Sequence, residues 1–349
     1  MRTSYKSEDV TFLLTDLTGK LEPMTAEQRE RNIQSGQHYS SMLPAESAPS
    51  DEYMRVYRDL MRVSAKQNAD AIARLATLVI GAHGKTVVLV SLARAGTPVG
   101  ILLKHYIKKR FGVDVPHYSI SIIRGIGIDK NAMSYILENH LAKDIVFVDG
   151  WTGKGAITKQ LHEALREYPG IDKGLAVVAD PAGVAHYYGT RNDIPIPCSC
   201  LNSVVSGLIS RTIVRDDLLG PTDYHGAVYM EHLEQYDISN QYVEEIEWLF
   251  NYQLDVGLNE PSEDGWREAE SIAKQYGVSD INFVKPSIGE ATRVLLRRIP
   301  DRVLLAKAYY GSTILEPTLT LAKEKNVPVE WVDLKSYRAI GIIKDLADA

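Results

Sequence analysis

Cysteine is scarce in this chain, and its runs of apolar residues are short. Cys198 and Cys200 are the two cysteines among 349 residues, and they lie too close together for a disulfide between them to cross-link distant parts of the chain. No apolar stretch approaches the ~20 residues that a helix needs to span a bilayer. The opening residues, MRTSYKSEDVTFLL, lack the apolar core and small-residue cleavage site of a signal peptide. We therefore expect a cytoplasmic protein that makes no contact with a membrane.

Positive charge is also in deficit, because the formal net charge of the chain is −6. This balance excludes a protein that binds nucleic acid by its overall charge, although one basic face could still do so. Apolar residues make up 45% of the chain and charged residues 24%, which is typical of a globular protein in water. A chain of this length exceeds one ordinary core, so we expect two domains.

Short β-branched runs alternate with helical patterns through the first part of the chain. The runs are TVVLVSL at 86–92, HYSISII at 117–123, DIVFVD at 144–149 and LAVVAD at 175–180. Continuous apolar strands separated by helices predict a parallel sheet that is covered on both faces. Helices are also expected over 51–82, ending at Gly84, and over about 227–252.

A second and smaller α/β pattern follows the polar stretch LNEPSEDG at 258–265, which we interpret as a linker. Its segments are INFV, GEATRVLLRR, RVLLAKA, ILEPTLTLAKEK and VPVEWVD. Two α/β domains are therefore predicted, over residues 1–257 and 266–349.

A glycine-rich turn follows the strand that ends at Asp149. It is not a P-loop, which needs four residues between its two glycines, because only two separate Gly150 from Gly153. An acid at the tip of a strand, a loop of small residues and a helix N-terminus together favour phosphate binding by backbone N–H groups. The acid can also accept hydrogen bonds from sugar hydroxyls. The pattern thus predicts a site for a ribose 5-phosphate, and an ordinary β–turn–α connection is the alternative.

This turn resembles the phosphoribosyl-diphosphate (PRPP) loop of the type I phosphoribosyltransferases, in which two acids precede a loop rich in Thr and Gly. Asp149 matches the first acid, and Gly150 stands in place of the second. The resemblance implies the parallel-sheet fold of that family, PRPP or another ribose 5-phosphate as ligand, and Mg²⁺ bound at Asp149. The residues expected to bind PRPP or its phosphates are Ala95, Gly96, Gly150, Thr152, Gly153, Lys154, Gly155 and Ala156.

Two arginines complete the predicted catalytic set. Arg94, in VVLVSLARAGTPVG at 87–100, is expected to hold pyrophosphate bidentately, and Arg124 to close over it from a basic loop. With Asp149 they would orient a reaction in which an acceptor displaces pyrophosphate from C1 of the ribose. The residues expected on the acceptor side are Asp180, Ser206 and Arg211.

Four segments narrow the resemblance further, namely SLARAGTPVGILLK, HYSISIIRGIGID, VFVDGWTGKGAI and SGLISRT. They resemble the phosphoribosyltransferase-like proteins of bacterial tellurite-resistance (Ter) and stress-response gene clusters, whose N-terminal domain is also known as the cysteine protease StiP family. The resemblance runs from about Ser4 through residue 250. It implies a PRPP-dependent phosphoribosyltransferase that makes a nucleoside-like metabolite in a stress response.

The tail resembles a Pelota-like RNA-binding domain, related to the L7Ae-type ribosomal proteins that grip kinked RNA. The segments that carry this resemblance are PSIGEATRVLLRR at 286–298, VLLAKA at 303–308 and NVPVEWV at 326–332. The resemblance places Glu290 and Arg293 at positions of RNA contact, and Arg297 lies one helical turn beyond Arg293. We therefore expect RNA as a partner of these three residues.

The two cysteines leave other functions open. A cysteine nucleophile needs a histidine base within reach and a lowered pKa, and His186, His225 and His232 are near only in sequence. We therefore expect Cys198 and Cys200 to pack in the core. The alternatives to the transferase are a cysteine peptidase that uses Cys200 and a non-catalytic sensor of PRPP or nucleotides with an RNA-binding tail. A homo-oligomer is open as well.

Overall fold

The chain folds into two α/β units, which a computed structural model describes over residues 1–254 and 264–344. The helices in these ranges are α1 (Ala26–Gln34), α2 (Asp51–His83), α3 (Gly96–Phe111), α4 (Lys130–Asn139), α5 (Ala156–Ala164), α6 (Ser239–Glu247), α7 (Gly265–Gln275), α8 (Ile288–Arg297) and α9 (Glu316–Glu324). The strands are β1 (Thr11–Phe12), β2 (Thr15–Asp16), β3 (Val88–Leu92), β4 (His117–Ile120), β5 (Ile122–Ile123), β6 (Gly127–Ile128), β7 (Ile145–Trp151), β8 (Leu175–Ala179), β9 (Tyr187–Thr190), β10 (Gly226–Ala227), β11 (Val284–Pro286), β12 (Pro300–Ala306), β13 (Val329–Val332) and β14 (Ala339–Ile343). Within these ranges, no helix combines the length and the apolar character needed to cross a bilayer.

A six-stranded sheet forms the centre of the N-terminal unit, in the order β1-β4-β3-β7-β8-β9. Every neighbouring pair in it is parallel. Helices α2 and α3 cover one face and helices α4 and α5 cover the other, so every residue of β3 and β8 is buried. The parallel sheet expected from the apolar runs is therefore confirmed.

Local signals set both ends of α2. The Ser50 hydroxyl caps its start by accepting from the N–H of Tyr53, and Asp51 and Glu52 lie in the first turn, where the helix dipole favours negative charge. Gly84 ends the helix with a φ of +70°, a conformation that suits glycine. The helix predicted over 51–82 is confirmed.

The helix predicted over about 227–252 is wrong in its first half. A 3₁₀ segment covers Glu231–Tyr236, and α6 begins only at Ser239. The Asp237 carboxylate accepts hydrogen bonds from the backbone N–H of Ser239 at 3.0 Å and from its hydroxyl at 2.6 Å. Such local bonding offers the backbone a turn in place of a continuous helix.

The C-terminal unit contains a mixed sheet in the order β11-β14-β12-β13. Strands β12 and β13 are parallel, and β14 runs antiparallel to β11 and β12. Helix α7 packs on one face, and α8 and α9 pack on the other. The small C-terminal α/β unit is thus confirmed, although the sequence analysis missed β14. Most of the predicted linker at 258–265 lies outside the described residues.

The two units share an apolar core. Ile288 and Leu295 of α8 belong to the same buried cluster as side chains of α2 and α3. The buried carboxylate of Asp193 accepts hydrogen bonds from the N–H groups of Ile288, at 3.0 and 3.1 Å, and of Arg338, at 2.9 Å. These contacts hold the start of α8 against the N-terminal unit.

Candidate functional site

Two adjoining cavities open at the carboxyl ends of β3, β5 and β7. The larger has a volume of about 350 Å³, and we call it the arginine cavity because its wall includes Arg94, Arg124, Arg211 and Arg293. The smaller, about 280 Å³, lies between the glycine-rich turn at 152–158 and the C-terminal unit, and we call it the turn cavity. Both are lined by Asp149 and Arg293, so they form one cleft. The carboxyl edge of a parallel sheet is where ligands of α/β proteins usually bind.

The guanidinium groups make the arginine cavity a place for negative charge. Arg94 pairs with the Glu46 carboxylate at 2.8 Å and donates to the carbonyl of Ile209 at 2.8 Å. Arg211 lies 4.9 Å from the ring centre of Tyr39, and burial together with nearby arginines lowers the pKa of its guanidinium. Negative charge in the cavity would offset both effects. The wall therefore favours an anionic ligand.

Asp149 lies on the wall that the two cavities share. Burial raises the pKa of its carboxyl to about 7, against an opposing hydrogen bond from the N–H of Gly150 at 2.8 Å. A carboxyl with a pKa near neutrality can take up and release a proton at physiological pH. Among the described residues that line the cleft, Glu290 is the other carboxylate, and Arg293 holds it at 2.7 Å.

These residues do not make a convincing Mg²⁺ site. Mg²⁺ takes octahedral oxygen ligands and binds ionised carboxylates, whereas Asp149 is only partly ionised near neutral pH. In the part of the chain that the structure describes, no group of three or more His, Cys, Asp or Glu side chains is arranged to hold a metal. Mg²⁺ at Asp149 stays a prediction, and no step below passes through a metal.

Close backbone approach shapes the turn cavity. A Cβ on Gly96 would lie 2.3 Å from the carbonyl oxygen of Val148, so only glycine allows α3 to start so near β7. Gly155 precedes α5 with a φ of +78°. The buried hydroxyl of Thr158 lines the cavity and has no hydrogen-bond partner among the described residues. The predicted phosphate-binding residues Thr152, Gly153, Lys154, Gly155 and Ala156 all line this cavity, and Ala95 lines both cavities.

The C-terminal unit engages the turn directly. The Lys154 ammonium donates to the carbonyls of Ile281 at 2.5 Å and Val284 at 3.1 Å, and burial lowers its pKa to about 8. The carbonyl of Gly153 accepts a hydrogen bond from the Tyr337 hydroxyl at 2.7 Å. The lysine that was expected to hold a phosphate is therefore bonded to backbone of the other unit.

The structure separates the predicted acceptor-side residues. Ser206 and Arg211 line the arginine cavity, but Asp180 is not part of either cavity wall. Asp180 is fully buried, pairs with Arg191 and accepts a hydrogen bond from the N–H of Ala185 at 2.9 Å. Its role in this arrangement is to organise the loop after β8.

Both cysteines are free and buried, but their surroundings differ. Cys198 is 6% exposed and lines the arginine cavity, whereas Cys200 is 0% exposed and its thiol donates to the carbonyl of Pro197 at 3.1 Å. Burial raises the pKa of each thiol to about 12. No histidine is among the described residues that line either cavity. Asp149 is thus the proton acceptor that shares a cavity with Cys198.

The three residues predicted to contact RNA face the N-terminal unit. Arg293 lines both cavities beside Glu290. Arg297 donates to the side-chain oxygen of Asn202 at 2.6 Å and to the carbonyl of Cys200. No local signal predicts this, because the partners lie about 95 residues earlier in the chain.

Comparison with known proteins adds the family. Residues 3–247 match a family model described as tellurite-like stress resistance cysteine protease StiP. The chain belongs to the StiP family. Residues 263–345 match the model of the PELOTA RNA binding domain. Over 368 residues the chain is 38% identical to a protein of Acinetobacter baylyi (strain ATCC 33305 / BD413 / ADP1) named "Cysteine protease StiP", covering 98% of this chain and 94% of that protein.

These matches confirm the resemblances to StiP and Pelota and overturn the predicted activity. A PRPP-dependent phosphoribosyltransferase is wrong, because the family and the Acinetobacter relative are named as cysteine proteases, which are hydrolases and not glycosyltransferases. They favour the peptidase alternative and lend no support to PRPP as ligand. The structure gives a physical reason why the turn is poorly suited to PRPP. Gly150 stands where the PRPP loop has its second acid, and the Lys154 ammonium is bonded to carbonyls of the C-terminal unit.

Proposed function

We propose that this chain is a cysteine peptidase that cleaves acidic peptides, with Cys198 as its nucleophile. The observation that carries the proposal is that Cys198 and Asp149 line one cavity. The names of the family and of the Acinetobacter relative supply the reaction class. Cys200, the cysteine first considered for this role, is the weaker candidate, because it is 0% exposed and, unlike Cys198, does not line the arginine cavity. A sheet like that of the type I phosphoribosyltransferases is a similarity of fold, and a shared fold does not imply a shared activity.

Asp149 acts as the base in this proposal. The Cys198 thiol gives its proton to the carboxylate, and the sulfur attacks the peptide carbonyl carbon. The C–N bond then breaks, the amine leaves with the proton from Asp149, and water hydrolyses the thioester to an acid and the free thiol. Burial raises the pKa of the Cys198 thiol above that of the Asp149 carboxyl, so the first proton transfer is uphill and the thiolate forms only transiently, as the sulfur attacks.

The charges of the cleft indicate the class of peptide. Four guanidinium groups line the arginine cavity, and Lys285 lines the turn cavity beyond Asp149. A peptide with Asp or Glu side chains on either side of the cleaved bond would place carboxylates near these cations. Arg293, whose charge opposes the rise in the Cys198 pKa, would also favour the thiolate and the oxyanion that follows it.

Hydrolysis of fluorogenic peptides by the full-length chain tests the proposal. We expect peptides with Asp or Glu beside the cleaved bond to be hydrolysed at least ~10-fold faster than matched Asn or Gln peptides. Cys198→Ala should abolish the activity, and Cys200→Ala is the matched control that should retain it. The proposal is wrong if Cys198→Ala cleaves as fast as the wild type, or if acidic and neutral peptides are cleaved alike.

We also propose that the C-terminal unit binds RNA, because residues 263–345 match the PELOTA RNA binding domain. Residues 263–345 hold thirteen Lys and Arg against twelve Asp and Glu, a net charge of +1 within a chain of −6. Fluorescence anisotropy with labelled RNA should show binding that weakens as salt rises, because phosphate contacts release counterions. Lack of binding at low salt would contradict this function.

A further inference from the structure

The helix face first expected to bind RNA is covered in the folded chain. Arg297 is bonded to Asn202 and to the Cys200 carbonyl, and a Cβ on Gly289 would lie 2.9 Å from the Ser199 hydroxyl oxygen. No space for a nucleotide exists at such a contact. RNA could reach Arg297 only after the two units had separated, and Glu290 and Arg293 line the cleft that the peptide would occupy.

Separation of the units would disrupt much more than this contact. The buried cluster that includes Leu295 also includes side chains of α2 and α3. The Tyr53 hydroxyl donates to the carbonyl of Leu296 at 2.5 Å, and Arg55 pairs with Glu324. Exposing a shared apolar core to water is costly. An RNA site on this protein should therefore lie on a face that the closed arrangement leaves open.

An exposed tyrosine that packs against a half-buried tryptophan marks such a face at the edge of the C-terminal sheet. Tyr310 is 76% exposed, and its ring centre lies 4.8 Å from that of Trp331 at an angle of 62°. Trp331 belongs to β13, which pairs with β12 and forms one edge of the sheet. Exposed rings on a sheet are surfaces on which unpaired bases stack.

Cations flank these rings. Lys307 is exposed, precedes Tyr310 by three residues and pairs with Asp333 at 3.1 Å. The Arg338 guanidinium lies 4.4 Å from the ring centre of Tyr309, the neighbour of Tyr310. We call Lys307, Tyr309, Tyr310, Trp331 and Arg338 the aromatic edge. It combines rings for bases with positive charges for phosphates, on the unit whose residues 263–345 carry a net charge of +1.

We infer that the aromatic edge is a binding surface for single-stranded RNA. Bases stack on Tyr310 and Trp331, and Lys307 and Arg338 contact the phosphates. The inference rests on the proposed RNA binding and assigns it to a face different from that of Glu290, Arg293 and Arg297. RNA bound there leaves the two units packed together and does not occupy the cleft that Cys198 lines.

Fluorescence anisotropy with the full-length chain and a labelled single strand of about 12 nucleotides tests the inference. Tyr310→Ala should weaken binding roughly 5- to 100-fold, the usual effect of losing one stacked base. Arg293→Ala should not weaken it, and a duplex should compete poorly. Trp248→Ala is the matched control, because Trp248 is 89% exposed on the N-terminal unit. Tyr310→Ala should also hydrolyse the acidic peptide at the wild-type rate.

Two results would overturn the inference, and they differ in what else they contradict. If Tyr310→Ala binds RNA as tightly as the wild type while Arg293→Ala loses binding, the aromatic edge is wrong but RNA binding stands. If the wild-type chain binds no single-stranded RNA at low salt, both the inference and the proposed RNA binding fail.

Discussion

Tyr337 donates a 2.7 Å hydrogen bond from its hydroxyl to the carbonyl oxygen of Gly153, which fastens the C-terminal unit to the glycine-rich turn of the N-terminal unit. Burial raises the pKa of the Tyr337 hydroxyl well above its usual value, so it stays a donor throughout the ordinary pH range. Lys154, the next residue of the turn, donates to two carbonyls of the C-terminal unit. The turn is thus an element of the interface as well as a wall of the cleft.

This interface predicts that the two units unfold together. Scanning calorimetry of the full chain should show one transition, since separation would expose the shared core. Tyr337→Phe should lower the free energy of unfolding by about 1 kcal/mol, because the half-buried carbonyl of Gly153 loses its donor. Tyr310→Phe, which alters an exposed hydroxyl, is the matched control and should change nothing measurable. Two well-separated transitions in the wild type would contradict the prediction.

Asp149 predicts the pH dependence of hydrolysis. Since burial raises its pKa to about 7, the carboxylate form needed as a base accumulates as pH rises through about 7. The kcat/KM of the wild type should therefore rise over that window. Asp149→Asn should lose at least ~100-fold in kcat/KM while remaining folded. It should also unfold at higher urea than the wild type at pH 8, because a buried amide costs less than a buried carboxylate. A flat profile from about pH 6 to 8 would exclude Asp149 as the base.

Two glycines near the carboxyl edge of the main sheet should respond differently to a methyl group. Gly96→Ala places a Cβ 2.3 Å from the carbonyl oxygen of Val148, and neither backbone can move far within the packed sheet. We expect a loss of about 2 kcal/mol or more in the free energy of unfolding. Gly153→Ala is the matched control, since its Cβ would meet nothing closer than 3.8 Å. Its free energy of unfolding should stay within about 0.5 kcal/mol of the wild-type value. Equal urea midpoints for the two variants would refute this account.

His105 predicts a loss of stability on raising the pH. It bridges the carboxylates of Asp9, at 2.7 Å, and Glu247, at 2.9 Å. Burial by itself lowers the pKa of this histidine, but the hydrogen bonds to the two carboxylates outweigh burial and raise it above its usual value. The stabilisation is therefore complete below the pKa of the unfolded chain, about 6.5, and is lost as pH rises through the folded pKa.

Urea unfolding of the wild type and His105→Gln over a pH series checks this sign. The difference between their free energies of unfolding should be largest near about pH 5.5 and should shrink as the solution becomes alkaline. A difference that stays constant, or that grows with pH, would show that His105 is neutral in the folded protein.

The local sequence was sufficient to predict those strands and helix ends whose pattern is complete within a few residues. Strands buried on both faces need apolar residues at nearly every position, so VFVD and LAVVA indicated β7 and β8 directly. Ser50 and Gly84 marked the ends of α2 because capping is a local interaction. Sequence could not give β14, which owes its place between β11 and β12 to pairing with both.

The sequence by itself determined the parallel sheet, the two units and the membership of the StiP family, all of which rest on local patterns or on resemblance along the chain. Tertiary structure alone decided the cleft, because Asp149, Cys198 and Arg293 come from distant parts of the chain and meet where α8 packs on the N-terminal unit. Arg293 and Arg297 on an isolated helix have the spacing of an RNA contact. In the folded chain Ile288 and Leu295 are buried in the shared core, whereas Arg297, on the opposite side of the same helix, is bonded to Asn202 and to the Cys200 carbonyl. Both sides of α8 are therefore covered, and that packing depends on residues about 95 positions earlier in the chain.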